Sequence, residues 1–409
     1  MAQAIEHFVN KVDSVVRQSA TRSSRHEKIA GERLRILCAV AYYLPGYRSG
    51  GPVRTIANMV DHLGEEFDFR IVTKDRDALD TEPYGDVWID RWNQVGNAEV
   101  FYASPRIQTF AGWRQVLRAT EYDLLYLNSF FSDRFTILPL LLRRLRLIPN
   151  RATILAPRGE FSAGALELKA PKKRAFLRLA KGMGLYRGLT WQASSEFEKA
   201  EIERVMGRVA DKIVVAPDLP PNVEMEVEDE DVDVEREPKP LHIVFLSRIS
   251  PKKNLEFALE VIGEVGQPVV FDIYGPIREP DYWEECQRKI AGLPDHISIQ
   301  YKGEVRPEEV PETFGRYDLF LIPTRGENYG HVIFESVAAG TSVLVSDRTP
   351  WKGSAEEGVH SLPLEEKQKW LAAVRNWVGL EPNEREKRRA VAKQYAMQYL
   401  EKSQAVDQN

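Results

Sequence analysis

The chain has 409 residues, 43% of them apolar, and a formal net charge of −5. That length suits two domains, the apolar share is ordinary for a globular chain, and the slight acidity offers no global footprint for a nucleic-acid partner. Cys38 and Cys286 stand far apart and the seven histidines show no ligand spacing, which argues against a disulfide framework or a zinc site.

Residues 1–31 mix charges around one weak helical pattern (Ile5, Phe8, Val9, Val12, Val15, Val16) and are read as a polar N-terminal extension. No signal-peptide apolar segment occurs there, and no apolar run approaches the ~20 residues that span a bilayer. Cytoplasmic residence is the resulting expectation.

A first domain is predicted over 32–218. Apolar strands at 34–41, 67–73, 122–128, 152–156, 189–193 and 212–216 alternate with helical patterns at 51–63, 134–146, 171–181 and 196–206. Ser195-Glu196-Phe197-Glu198 opens the last helix as a capping box. Residues 219–240 then form an acidic linker, read as solvated. Its Asp231-Val232-Asp233 triplet resembles a metal-binding Asp-x-Asp motif, but it lies inside a charge run, away from any strand–loop context.

The rhythm restarts in a second domain, 241–380. Strands are predicted at 241–247, 269–274, 297–301, 318–323 and 342–345, with helices from 254, 281, 307 and 330. The tail from Leu364 reads as two charged helices. The segment 381–409 is a helix and a candidate to cross back to the first domain. Such alternation describes an α/β protein with two Rossmann-like, doubly wound parallel sheets. Sheets of that kind bind ligands outside the carboxyl ends of their strands.

Chemistry-bearing residues fall at those strand ends. Arg248 and Lys253 follow the first strand of the second domain, in Ser-Arg-Ile-Ser-Pro-Lys-Lys-Asn, and suit a diphosphate: arginine offers a planar fork and lysine a point charge. Glu327 sits in the loop after the strand at 318–323, and Glu335 lies on the helix that begins near Gly330. A helix over the whole interval would separate the two carboxylates by about 12 Å, wider than the roughly 5 to 9.5 Å of a glycosidase pair. They suit the two ends of an extended ligand whose middle meets the helix N-terminus. In the first domain, Gly50 and Gly51 leave room for backbone to approach a phosphate or sugar. The Gly-x-Gly-x-x-Gly of a dehydrogenase is absent there. Arg158 and Glu160 follow the strand at 152–156. Residues 169–187 carry Lys169, Lys172, Lys173, Arg174, Arg178, Lys181 and Arg187 without an acid, a pattern suited to an anionic membrane surface.

Glu327-x7-Glu335, followed by Ala-Ala-Gly and a Val-Leu-Val strand, resembles the donor-site signature of retaining glycosyltransferase family 4, which has the GT-B fold. The resemblance is strong in the second domain and weak in the first. It implies two domains facing across a cleft and transfer of a sugar from a nucleoside-diphosphate sugar to a glycan or lipid-linked hydroxyl acceptor in bacterial surface polysaccharide or lipopolysaccharide assembly. No cofactor is expected, and no metal is needed if Arg248, Lys253 and the helix N-terminus neutralise the leaving diphosphate. Arg248 and Lys253 match the family's diphosphate-binding pair. Glu327 is expected to hold sugar hydroxyls and Glu335 the ribose diol, with backbone N–H groups of Asn328, Tyr329 and Gly330 turned to sugar or phosphate. Gly50 and Gly51 match the glycine loop over the donor diphosphate. Arg158 stands where many relatives have a sugar-contacting His, and Ser342 where they usually have Pro. Two other readings share the scaffold: a catalytically silent nucleotide-sugar-binding partner and a sugar-nucleotide epimerase.

Overall fold

The computed structural model describes residues 33–162, 165–166, 170–221 and 240–405. The N-terminal extension and the acidic run with Asp231-Val232-Asp233 lie outside the described residues. The chain divides into two compact units, residues 1–222 and 223–409.

In the first unit the strands are β1 (Leu34–Ala39), β2 (Phe67–Lys74), β3 (Trp92–Val95), β4 (Ala98–Ala103), β5 (Leu124–Asn128), β6 (Ala152–Ala156), β7 (Thr190–Ala193) and β8 (Ile213–Val215). They form one sheet in the order β3-β4-β2-β1-β5-β6-β7-β8. Every pairing is parallel except β3 with β4. The helices are α1 (Gly51–Leu63), α2 (Phe110–Ala119), α3 (Leu138–Arg144), α4 (Ala170–Gly182) and α5 (Glu196–Met206). The sheet buries both faces, one core holding Ile36, Cys38 and Ile71 and the other Leu37, Val72 and Leu127. Two-sided burial explains why the inner strands read as continuous apolar runs. Val53, Ile56, Met59, Val60 and Leu63 of α1 point inward, the spacing of one apolar helix face.

The capping expectation at α5 holds for its forward half. Ser195 Oγ accepts from Glu198 N (3.2 Å), but the Glu198 carboxylate accepts from Ser194 N (2.8 Å) and Gly159 N (2.6 Å). The β3–β4 hairpin and α2 carried no prediction. A single π-helical turn (Asp133–Ile137) precedes α3 where one continuous helix was expected.

The second unit contains β9 (Leu241–Leu246), β10 (Val269–Tyr274), β11 (Ile297–Gly303), β12 (Leu319–Ile322), β13 (Ser342–Ser346) and β14 (Val359–Leu362). Their order is β11-β10-β9-β12-β13-β14, all parallel. Chain order reverses between β9 and β12, the switch point where doubly wound sheets leave a crevice. Its helices are α6 (Leu255–Gly263), α7 (Pro280–Ala291), α8 (Val310–Gly315), α9 (His331–Ala338), α10 (Lys367–Val378) and α11 (Pro382–Ala405). The last helix packs on α9 and β13. Its Ala392 and Ala396 are buried in the second unit's core, and Tyr399 stacks on Trp351 with ring centroids 4.4 Å apart. Ser342 Oγ donates to the Arg388 carbonyl of this helix (3.5 Å). Among the described residues no helix is long and apolar enough to cross a membrane.

Candidate functional site

The loops after β9 and β12 emerge side by side at the switch point and are bonded to each other. Asn254 takes a left-handed conformation (φ +62°), which asparagine tolerates better than most residues. Its Nδ2 donates to the Pro323 carbonyl (3.0 Å), and Arg325 N donates to the Lys252 carbonyl (2.8 Å). Arg325 also reaches Glu256 at 3.1 Å. These bonds place Lys253 and Glu327 together. Lys253 Nζ donates to Glu327 Oε1 at 2.5 Å, and Thr324 Oγ1 donates to the same oxygen at 2.8 Å. The two charged side chains are 8% and 11% exposed. A third loop joins in, since Glu327 N donates to the Arg348 carbonyl after β13 (3.2 Å).

Burial pushes the Glu327 carboxyl upward, but Lys253, Lys252 and the hydrogen bonds from Lys253 and Thr324 outweigh it, so its pKa lies below the ordinary glutamate value. Glu327 is therefore ionised at neutral pH. Arg248, half-buried at the end of β9, is pulled down by desolvation and by the neighbouring Arg278, and pulled up by Glu327. A guanidinium stays charged through such shifts. Arg248, Lys253 and Glu327 are thus one cluster.

Arg278 carried no prediction. It follows β10 in Gly275-Pro276-Ile277-Arg278, as Arg248 follows β9, and that shared strand-end position was the available signal. Ile249 and Ile277 form a parallel bridge, with Ile249 N donating to Pro276 O (2.9 Å) and Arg278 N to Ile249 O (3.3 Å). Side chains alternate across such a bridge, so Arg248 and Arg278 share the face opposite the isoleucines. Gly275 makes the approach fit: a Cβ there would lie 2.0 Å from the Ser247 carbonyl oxygen, and its φ is +129°.

Gly330 caps α9 at φ +82°. Tyr329 is buried, its carbonyl accepting from Trp351 Nε1 at 2.5 Å. Its side chain belongs to the core, so a ligand would meet its backbone. Asn328 precedes it, half-buried. Glu335 lies in the second turn of α9, also half-buried.

In the first unit, Gly50 (φ +69°) is the N-cap of α1. The loop before it is held by Asp77, whose Oδ2 accepts from Tyr47 N (2.9 Å) and Arg48 N (3.1 Å). A Cβ on Gly51 would meet nothing within 4 Å. Arg158 is engaged inside the unit. Its Nε donates to Asn128 Oδ1 (2.7 Å), one terminal nitrogen donates to Tyr126 Oη (2.5 Å), and the other pairs with Asp218. Its side chain is 7% exposed. Asp218 also accepts from Thr55 Oγ1 of α1 (3.2 Å), so Arg158 is a strut between β5, β6, the chain after β8 and the glycine-loop helix. Glu160 accepts from Phe130 N (2.5 Å), Phe131 N (2.9 Å) and Ser129 Oγ (3.0 Å), which ties the β5 loop to the β6 loop. Tyr126, Asn128 and Asp218 were not singled out in the sequence, because a buried hydrogen-bond partner leaves no local motif.

Two doubly wound parallel sheets with these topologies are the GT-B fold. That fold is shared with HepE of Anabaena in complex with UDP and glucose, at 16% identity over 90% of this chain and 95% of that one (TM-score 0.63). It is shared with sucrose-phosphate synthase of Thermosynechococcus elongatus, at 15% identity over 90% and 94% (TM-score 0.65). The pneumococcal O-GlcNAc transferase GtfA in complex with UDP and GlcNAc is a third, at 13% identity over 92% and 99% (TM-score 0.57). At such identities the likeness shows the fold. Residues 227–397, which carry the Arg248–Lys253–Glu327 cluster and Glu335, match the family described as glycosyl transferases group 1. No curated protein matches the chain in sequence.

Proposed function

We propose that the chain transfers a sugar from a nucleoside-diphosphate sugar to a hydroxyl acceptor with retention of anomeric configuration, in the assembly of a bacterial surface polysaccharide or lipopolysaccharide. The observation that carries this reading is the buried Lys253–Glu327 pair set beside Arg248 at the β9–β12 switch point. Arg248 and Lys253 bind the diphosphate, and Arg278 adds a further cation on the same face. At the start of α1, Gly50 caps the helix and Gly51 leaves open space for backbone to approach a sugar or phosphate. Glu327 holds the sugar hydroxyls through the oxygen capacity that Lys253 and Thr324 leave available, and Glu335 holds the ribose diol. Backbone N–H groups at Asn328, Tyr329 and Gly330 face the sugar and phosphate. Arg158 acts as a positioning residue behind the glycine loop through Asp218 and Thr55, and Glu160 as one that fixes the β5 loop.

Negative charge grows on the leaving phosphate as the glycosidic bond breaks. Fixed cations that meet this charge lower the barrier by preorganised electrostatics. The departing phosphate oxygen takes the acceptor's proton on the face it leaves, so no protein nucleophile is used. HepE was solved with UDP and glucose and GtfA with UDP and GlcNAc, which supports a nucleotide-sugar donor.

The test is nucleoside diphosphate release, measured with UDP-, GDP- and ADP-sugars after a thermal-shift screen selects the donor. Arg248→Ala and Glu327→Gln are expected to abolish it, and Arg278→Ala to raise the donor KM roughly 10- to 100-fold, the worth of one charge-assisted contact. Wild-type turnover by Arg248→Ala would refute the assignment of that residue. Binding without any release would favour a silent binding partner, and sugar isomerisation without acceptor an epimerase.

A further inference from the structure

The geometry points to a docking surface for an anionic lipid bilayer on the first unit, built where the carboxyl ends of α3 and α4 meet. The two ends are bonded together. Arg144 Nε donates to the Met183 carbonyl (3.0 Å), and Arg143 donates to the carbonyls of Arg187 (2.8 Å) and Gly188 (3.0 Å). This junction brings Leu145, the residue after Arg144, alongside the last turn of α4. Leu145 is 58% exposed, Leu179 63% and Met183 44%. Met183 N donates to the Leu179 carbonyl (2.9 Å), so the helix continues through Met183 and those two side chains share one face.

The core does not require these three residues. Phe176, Leu177 and Ala180 of the same helix turn inward and pack on the first unit's core. Leu179 and Met183 are what remains on the outside. Isolated exposed apolar side chains need no explanation, but three at one junction, ringed by cations, form a patch. Arg144, Arg146, Arg178 and Arg187 are exposed around them.

The charge is one-sided. Between Pro139 and Ser194 the sequence has only two acids, Glu160 and Glu167, in a chain whose net charge is −5. Glu160 is spent on the backbone N–H groups of Phe130 and Phe131, and Glu167 lies outside the described residues. Apolar side chains flanked by arginines suit the boundary between headgroups and acyl chains: the hydrocarbon enters, and the guanidinium groups stay with phosphate. A nucleic acid or acidic peptide would use the arginines and gain nothing from Leu179 or Met183. Such docking would place a lipid-linked acceptor within the protein's reach, although the surface stands without the transferase reading.

Flotation of the full chain with phosphatidylcholine vesicles, with and without phosphatidylglycerol, tests the assignment. Binding is expected only with phosphatidylglycerol, and it should weaken in high salt. Arg178→Ala with Arg187→Ala should lower the vesicle partition coefficient about 30-fold, and Leu179→Asp should lower it as well. All three positions are exposed, and circular dichroism together with unchanged nucleoside diphosphate release would show these variants folded. Failure of the wild type to float overturns the proposal. So does binding that survives Leu179→Asp unchanged, which would mark a general polyanion contact. Loss of donor turnover with flotation intact would refute the transferase reading and leave this surface standing.

Discussion

Removing one partner from the Lys253–Glu327 pair leaves the other charged and enclosed, which typically costs about 3–5 kcal/mol. Glu327→Ala is therefore expected to lower unfolding free energy by that order, measured in urea. Glu327→Ala combined with Lys253→Met should recover most of the loss while remaining inactive. If the single variant is as stable as the wild type, the pair is not the enclosed contact described. The pH dependence has a definite sign. The folded state holds the Glu327 pKa below its ordinary value, so its stabilising contribution is complete above about pH 4.3 and fades as pH falls through the depressed pKa. The stability gap between wild type and Glu327→Gln should close over that acidic window. Strand-end position and local spacing made Arg248, Lys253 and Glu327 legible in the sequence. The partners of Arg158 were not, because Asn128 and Asp218 come from distant positions that only the fold brings together.

At the scale of elements, two glycines separate a structural requirement from a functional one. At Gly275 a Cβ would strike the Ser247 carbonyl, and φ is +129°. Gly275→Ala should force the β9 and β10 loops apart, lower Tm and weaken nucleotide binding, with backbone strain of order 1–3 kcal/mol. At Gly51 a Cβ would enter open space, and alanine suits a helix's first turn better than glycine does. Gly51→Ala should keep or slightly raise Tm, so a fall in transfer would report a ligand occupying that space. Unchanged transfer would reduce Gly51 to a turn residue. Elements with a strong apolar period were readable within a residue or two: Gly51–Leu63, Glu196–Met206, Ala152–Ala156 and Val269–Tyr274 coincide with their predictions. The β3–β4 hairpin was not, since β3 is a short, half-exposed, antiparallel edge strand in a region where a βα rhythm was expected. β14 escaped notice because His360 and Ser361 interrupt its apolar pattern.

For the whole molecule the question is how a chain of net charge −5 would hold the dianionic donor proposed for it. The loops after β9 and β10 collect Arg248, Lys252, Lys253 and Arg278 near the carboxylate of Glu327. That local excess suits a diphosphate, and the N-terminus of α9 adds partial positive charge. On the proposed reading these fixed cations do the work of a divalent cation at the leaving group. Among the described residues no cluster of three or more His, Cys, Asp or Glu is arranged to hold one, and the Asp231-Val232-Asp233 triplet lies outside them. Transfer is accordingly expected to proceed at an unchanged rate in EDTA, and Asp231→Ala with Asp233→Ala should match the wild type. A rate that collapses in EDTA and returns with magnesium or manganese would mean that the basic residues at the strand ends do not carry the diphosphate alone. If the acidic-pair variant removed that rescue as well, the metal would be assigned to the linker, and the clamp at β9 and β10 would be left with substrate binding only.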